Sequence, residues 1–150
     1  MYLRLPPPLV LLLSVFGMYL LAQLMPLYEF HFAGQRMLML MFCLAGTLIG
    51  LAAVMSFARA KTTVNPHKPA KTSALVTTGI YRISRNPMYL ALLCLLMAAF
   101  IYFSALSAVL MIGVFVMYMN HFQIAQEETV LKAMFGDRYE KYCHRVRRWC

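Results

Sequence analysis

The chain has 150 residues, enough for one domain, with 62% apolar residues, only 13% charged residues and a net charge of +9. Soluble domains carry about a quarter charged residues, so this composition excludes an ordinary soluble fold. The basic excess has no soluble basic domain to present it, which argues against a nucleic-acid partner.

In chain order, the first long apolar run is Leu9 to Met25, with Ser14 and Gln23 its clearly polar members. Pro6, Pro7 and Pro8 precede it, at a helix start where proline is tolerated. Arg4 before an apolar run also suits a signal peptide, but the run is long for one and further spans follow. The expectation is a retained first span over about 8–27. A second run, Met37 to Phe57, is free of charge and predicts a span over about 36–58. It carries Gly46 and Gly50 as a GxxxG pair, with Ala53 extending the small face. Such faces let helices approach closely, either within one bundle or as a weak homodimer seam.

The third run, Met88 to Met119, is 32 residues without a charge. One helix of that length would measure about 48 Å, too long for a bilayer without steep tilt. Splitting it at a turn near Tyr102, Phe103 and Ser104 gives spans over about 87–102 and 105–125. Charge supports the split. Of 14 Lys and Arg, six lie in 58–87 and six after Gln126. The positive-inside rule places both segments in the cytoplasm, which requires an even number of crossings between them. The expected fold is an all-α, polytopic membrane bundle of about four transmembrane helices in one domain. Its partner is the lipid bilayer, and both termini are cytoplasmic. The scattered cysteines (Cys43, Cys94, Cys143, Cys150) and four histidines form no disulfide framework and no metal site. Unpaired cysteines in so compact a chain fit a bacterial inner membrane, with a eukaryotic endoplasmic reticulum as the alternative.

Two polar segments need a reason beyond topology. The loop 59–86 mixes turn formers (Pro66, Pro69, Gly79) with Leu75, Val76, Ile80 and Tyr81, a pattern expected to fold back over the cytoplasmic end of the bundle. It ends in Arg85-Asn86-Pro87, with Pro87 suited to a first helical position that leaves backbone N–H groups free. At the end of the fourth span, Asn120, Gln123 and Glu127 fall at i, i+3 and i+7 and are expected to share one face. Glu128 lies about 100° away, toward the basic tail. In the C-terminal segment 126–150, Gly136 is expected to end a helix. Tyr139, Tyr142, Val146 and Trp149 then read as an interfacial amphipathic helix. Carboxylate, amides and tyrosine rings around one pocket suit a ligand with a cationic centre.

"LVTTGIYRISRNPMYLALL" followed by "EETVLKAMFGDRYEKYCHRVRRW" resembles the isoprenylcysteine carboxyl methyltransferase and phospholipid methyltransferase superfamily. These are integral membrane enzymes that use S-adenosylmethionine. The resemblance runs from near Thr63 to Trp149. It implies that Ser73, Ala74, Leu75, Val76 and Tyr81 line the cofactor. It also implies that Asn86, Pro87, Met88 and Tyr89 wall the start of the third span, and that Glu127 holds the cofactor's charged part. The implied acceptor is a lipophilic or membrane-delivered small molecule. Asn86 stands where eukaryotic members usually have histidine, and Gln123 where prenylcysteine enzymes carry a substrate-binding arginine. A neutral amide cannot pair with a carboxylate as arginine does, which argues against prenylcysteine. No general base stands out; Asn86, His121 and Gln123 are the candidate catalytic residues. The alternatives are a sterol-reductase-type enzyme using NADPH and a non-enzymatic membrane assembly subunit.

Overall fold

The computed structural model describes residues 5–60 and 74–150. Helix α1 (Pro7–Leu24) begins with proline in its first turn, where the missing N–H costs nothing. It stops at Met25 because Pro26 cannot continue it. Helix α2 spans Gln35–Arg59, α3 Pro87–Phe103 and α4 Val109–Tyr118. A π-helical turn over Met119–Ile124 leads into α5 (Ala125–Phe135), and α6 covers Asp137–Arg145. Between α5 and α6 stands Gly136 at φ 49° and ψ −127°, a conformation open to glycine alone. Among the described residues there is no strand, only an isolated bridge between Glu29 and Ala105.

That bridge belongs to a small lock at one end of the bundle. Ser104, at φ 56°, ends α3 and reverses the chain. Its carbonyl accepts from the Phe30 N–H at 3.0 Å, and the Leu106 N–H donates to the Tyr28 carbonyl at 2.9 Å. Gln35, first residue of α2, donates its amide to the Ile101 carbonyl at 2.8 Å and to the Ser104 hydroxyl. The expected turn at Tyr102–Ser104 is therefore present, with Ser104 buried inside it.

The main core joins α1, α3, α4 and the π-turn through Val10, Met18, Leu96, Phe115, Met119 and Ile124. The outward surfaces are the reverse of a soluble protein's. Leu12 and Phe16 on α1, Leu44 and Leu48 on α2, and Leu110 and Met117 on α4 are all exposed. In water such continuous apolar faces would drive aggregation; in hydrocarbon they cost nothing. Inside these helices the hydroxyls of Ser14, Thr47 and Ser56 each bond the carbonyl four residues back, which satisfies these three polar groups within their own helix. The chain is an all-α, integral membrane bundle.

Two of the expected boundaries move. The first span ends at Leu24 rather than near 27. The third helix keeps its expected place, Pro87–Phe103, with 17 residues and a length of about 25 Å. Among the described residues, three helices have at least 18 residues and are apolar enough to cross a membrane: Pro7–Leu24, Gln35–Arg59 and Leu106–Phe135. The last does not stop near 125. It continues as one rod of 30 residues, about 45 Å, which carries Glu127 and Glu128 beyond the apolar part.

The GxxxG pair packs inside the chain. A Cβ on Gly46 would lie 2.9 Å from the Ala91 carbonyl oxygen and 3.1 Å from Leu95 Cγ, whereas one on Gly50 would rest 3.5 Å from Ala91 Cβ. The small face thus serves the α2–α3 contact. Gly46→Ala is expected to destabilise by about 1–3 kcal/mol through overpacking. Gly50→Ala should be neutral or better, because alanine favours the helix by up to about 1 kcal/mol. Thermal unfolding in detergent checks this, and equal midpoints for the two variants would refute it.

Candidate functional site

The polar end of the bundle is organised around the start of α3. Pro87 occupies its first helical position, so the segment before it must be held from outside. The C-terminal tail does this. The Arg85 N–H donates to the Arg147 carbonyl at 3.0 Å. The Arg148 carbonyl accepts from the Ser84 hydroxyl at 3.3 Å and from Asn86 Nδ2 at 3.0 Å. Trp149 Nε1 donates to Asn120 Oδ1 at 3.1 Å. The tail lies behind the 84–86 segment and fixes its direction.

In front of that segment a cleft opens, about 770 Å³ when counted out to its mouth. One wall is Ala74, Leu75, Val76 and Tyr81, the described part of the loop 59–86. Arg85, Asn86, Met88 and Tyr89 form the second wall, and Glu127, Glu128 and Leu131 of α5 the third. Tyr139 and Tyr142 of α6 and Phe57 of α2 close it. Tyr81 sits in the single-turn 3-10 helix Gly79–Arg82, held edge-on by the Phe57 ring at 5.3 Å. The Tyr142 hydroxyl donates to the Tyr81 carbonyl at 2.7 Å.

The two glutamates have different duties. Glu128 accepts from Arg85 Nη1 at 3.1 Å and from both Nε (3.1 Å) and Nη2 of Arg148, a forked pairing that suits arginine and carboxylate. The hydrogen bond to Glu128 holds the Arg148 guanidinium protonated even more firmly than usual. Glu127 accepts a hydrogen bond from the Tyr89 hydroxyl. Burial, then the neighbouring Tyr142 and Glu127, push the Tyr81 phenol well above its ordinary range. Burial first also raises Tyr139 and Tyr142. All three stay neutral hydroxyls throughout the physiological range. Among the described residues one buried side-chain polar atom has no hydrogen-bond partner, Arg85 Nε. Such a group is costly to bury, and this one belongs to a side chain lining the cleft.

Ala74, Leu75, Val76, Tyr81, Asn86, Met88, Tyr89 and Glu127 all line this one cleft. Ser73 lies outside the described residues. Pro87 is buried beneath the helix start and does not line the cleft. His121 is exposed and stands away from it. Gln123 is the clearest correction. It is buried and donates to the Leu5 carbonyl at 2.9 Å, while the Tyr118 hydroxyl accepts from the Leu5 N–H at 3.1 Å. Its amide pins the N-terminal segment and has no place at the cleft. The single-face expectation for Asn120, Gln123 and Glu127 fails for a definite reason. The π-turn over Met119–Ile124 widens the helix there, so ordinary α spacing no longer predicts who shares a face. Asn120 meets Trp149, Gln123 meets Leu5 and Glu127 meets Tyr89.

Residue-level reading missed Phe57, Arg85, Glu128, Leu131, Tyr139 and Tyr142 as cleft residues. The two tyrosines carried a signal that pointed elsewhere. Tyr139, Tyr142 and Val146 are an apolar face packed on Leu75, Leu131 and Phe135 of this chain, not a face turned to lipid.

This arrangement, an apolar helical bundle with a carboxylate- and phenol-lined cleft at one end, coincides with a family match. The family model described as "Phospholipid methyltransferase" matches residues 35–138. The chain belongs to the phospholipid methyltransferase family. The match starts with α2 and takes in every wall of the cleft except Tyr139 and Tyr142. The resemblance of the motifs therefore extends further toward the N-terminus than Thr63. A protein of Haemophilus influenzae (strain ATCC 51907 / DSM 11121 / KW20 / Rd), described as an uncharacterized protein, is 45% identical over 62 residues, 41% of this chain and 98% of that one. No solved structure matches the chain. Family membership makes this a membrane methyltransferase in general terms.

Proposed function

We propose that the chain transfers a methyl group from S-adenosylmethionine to a lipophilic or membrane-delivered small molecule. The observation that carries this reading is the chemistry of the cleft. A sulfonium and an ammonium suit the Glu127 carboxylate and the faces of Tyr81, Tyr89 and Tyr142. A ligand carboxylate suits the Arg85 guanidinium, which lines the cleft beside Glu128. The donor set therefore fits that cofactor, and Glu127, Tyr81, Tyr89 and Arg85 are the residues we assign to hold it.

When bound, the sulfonium supplies an electrophilic methyl that an in-line nucleophile can displace. The chain's own contribution is alignment and exclusion of water. The Tyr89 hydroxyl fixes the Glu127 carboxylate, the backbone bonds from the tail fix Asn86 and Arg85, and Phe57, Met88 and Leu131 supply apolar wall. Positioning of this kind accounts for much of the rate gain in a direct transfer, which needs no covalent intermediate. Asn86 lines the cleft and can donate or accept a hydrogen bond but is no acid or base at neutral pH. The acceptor's nucleophile would then lose its proton to water at the mouth.

Equilibrium binding to detergent-purified protein tests the cofactor. S-adenosylhomocysteine is expected to bind and NADPH is not; the reverse result would favour the reductase alternative, and binding of neither a non-enzymatic subunit. Radiolabelled methyl transfer into extracted native lipids then tests the acceptor class.

The same reading places the cleft, the loop 58–87 and both termini in the cytoplasm, in a bacterial inner membrane, on the strength of the basic bias. Tyr102 is 69% exposed at the opposite turn, which makes it a better probe than buried Ser104. In intact cells whose native cysteines are replaced, Tyr102→Cys is expected to react with a membrane-impermeant maleimide. Reaction only after permeabilisation would overturn the orientation.

A further inference from the structure

Beside the cleft, and separated from it by Leu75 and Tyr142, runs a second groove lined by Arg82, Arg138, Lys141 and Arg145. The last three lie at i, i+3 and i+7 of α6 and share its outer face. Arg82 comes from the 3-10 turn across the groove. All four are exposed, and none takes part in an ion pair among the described residues.

The chain has five acids to offer. Glu127 and Glu128 line the cleft, Glu140 pairs with Lys132 at 2.8 Å, and Glu29 sits at the far turn by Ala105. Asp137, next to Arg138 on α6, is the remaining one. Four cations gathered in one concavity repel one another unless an anion is supplied from outside. A topological signal needs basic residues in the segment, counted along the chain. It does not need them converged from two elements into a groove. Next to Arg82, Ile83 is 62% exposed. An exposed aliphatic beside cations is the composition of a surface lying at the headgroup level of a bilayer.

We propose that Arg82, Arg138, Lys141 and Arg145 form a headgroup site for an anionic phospholipid of the cytoplasmic leaflet. The occupant's phosphate lies between α6 and the 3-10 turn, its chains continue along the apolar helices, and its contacts hold the Leu75–Tyr142 wall that the groove shares with the cleft. The site rests on the cytoplasmic placement of α6 and is independent of the methyl-transfer reading.

The test is native mass spectrometry of the detergent-purified full chain titrated with phosphatidylglycerol or with phosphatidylcholine. Wild type is expected to retain phosphatidylglycerol at least about tenfold more strongly, given the attraction each basic residue adds at an anionic surface. The variant R82Q/R138Q/K141Q/R145Q should bind the two lipids alike while keeping a cooperative thermal unfolding transition in detergent. R82K/R138K/R145K keeps the charge and should keep the preference, which covers the case in which the glutamine variant does not fold. Equal retention of both lipids by wild type, or an unchanged preference in the glutamine variant, would overturn the proposal. So would displacement of phosphatidylglycerol by millimolar inorganic phosphate, since the groove would then be reading a soluble anion. Because the lipid readout needs no turnover, its failure and the failure of the methyltransferase reading are distinguishable.

Discussion

Glu127→Gln is expected to weaken S-adenosylhomocysteine binding about ten- to a hundredfold, the effect of losing one charge-assisted contact of about 1.5–3 kcal/mol. Its thermal midpoint should stay near that of wild type, because a glutamine can still accept from the Tyr89 hydroxyl that meets Glu127. Glu128→Gln should do the opposite in part. Glu128 neutralises both Arg85 and Arg148, whose side chains are 15% and 39% exposed, respectively. Removing its charge strands a largely buried guanidinium and loosens the tail, at a cost of about 2–3 kcal/mol once partial solvent access is allowed for. Calorimetry paired with thermal unfolding in detergent separates the two. If Glu128→Gln left the midpoint unchanged and Glu127→Gln lowered it, the division of labour between the two acids would be wrong.

Ending the chain after Val146 is expected to abolish measurable S-adenosylhomocysteine binding and to lower the unfolding midpoint. The truncation removes the acceptors of Arg85 N–H, Ser84 Oγ and Asn86 Nδ2, together with the Arg148–Glu128 fork. Each orphaned donor costs about 1 kcal/mol or more, and all of them lie on the segment that walls the cleft. Trp149→Phe is the milder companion. It keeps the backbone bonds and loses the bond to Asn120, so binding should fall by less than about tenfold, the effect of one neutral hydrogen bond. A truncated chain that bound the ligand as wild type does would show that the tail has no part in shaping the site.

Some of this was legible before any coordinate. Long uncharged runs can only be spans in a chain this poor in charge, because hydrocarbon offers backbone groups no partner outside a helix. Pro7 and Pro87 at helix starts and Gly136 at a helix end follow from local backbone chemistry, and each stands where those rules put it. The division of the third apolar run at Ser104 followed from charge bias and length together. Most of the residues assigned to a cofactor pocket through the family resemblance, Glu127 among them, line one cleft; Glu128, expected to face the basic tail, lines it as well.

What only the tertiary structure decided is which side chain faces which partner. Periodicity assumes a uniform helix, and the π-turn at Met119–Ile124 breaks that assumption within the helix that carries Asn120, Gln123 and Glu127. No residue type announces such a turn. Gln123 binds Leu5, 118 positions away in the chain, and Asn86 binds the carbonyl of Arg148, 62 positions away. Contacts of that separation follow from how helices pack, so spacing along the sequence does not encode them. The amphipathic face of α6 shows the same limit. Its pattern says that Tyr139, Tyr142 and Val146 are buried together, and the pattern is equally satisfied by lipid or by protein. Packing on Leu75, Leu131 and Phe135 made it protein, and that turned the basic face outward into the groove beside the cleft.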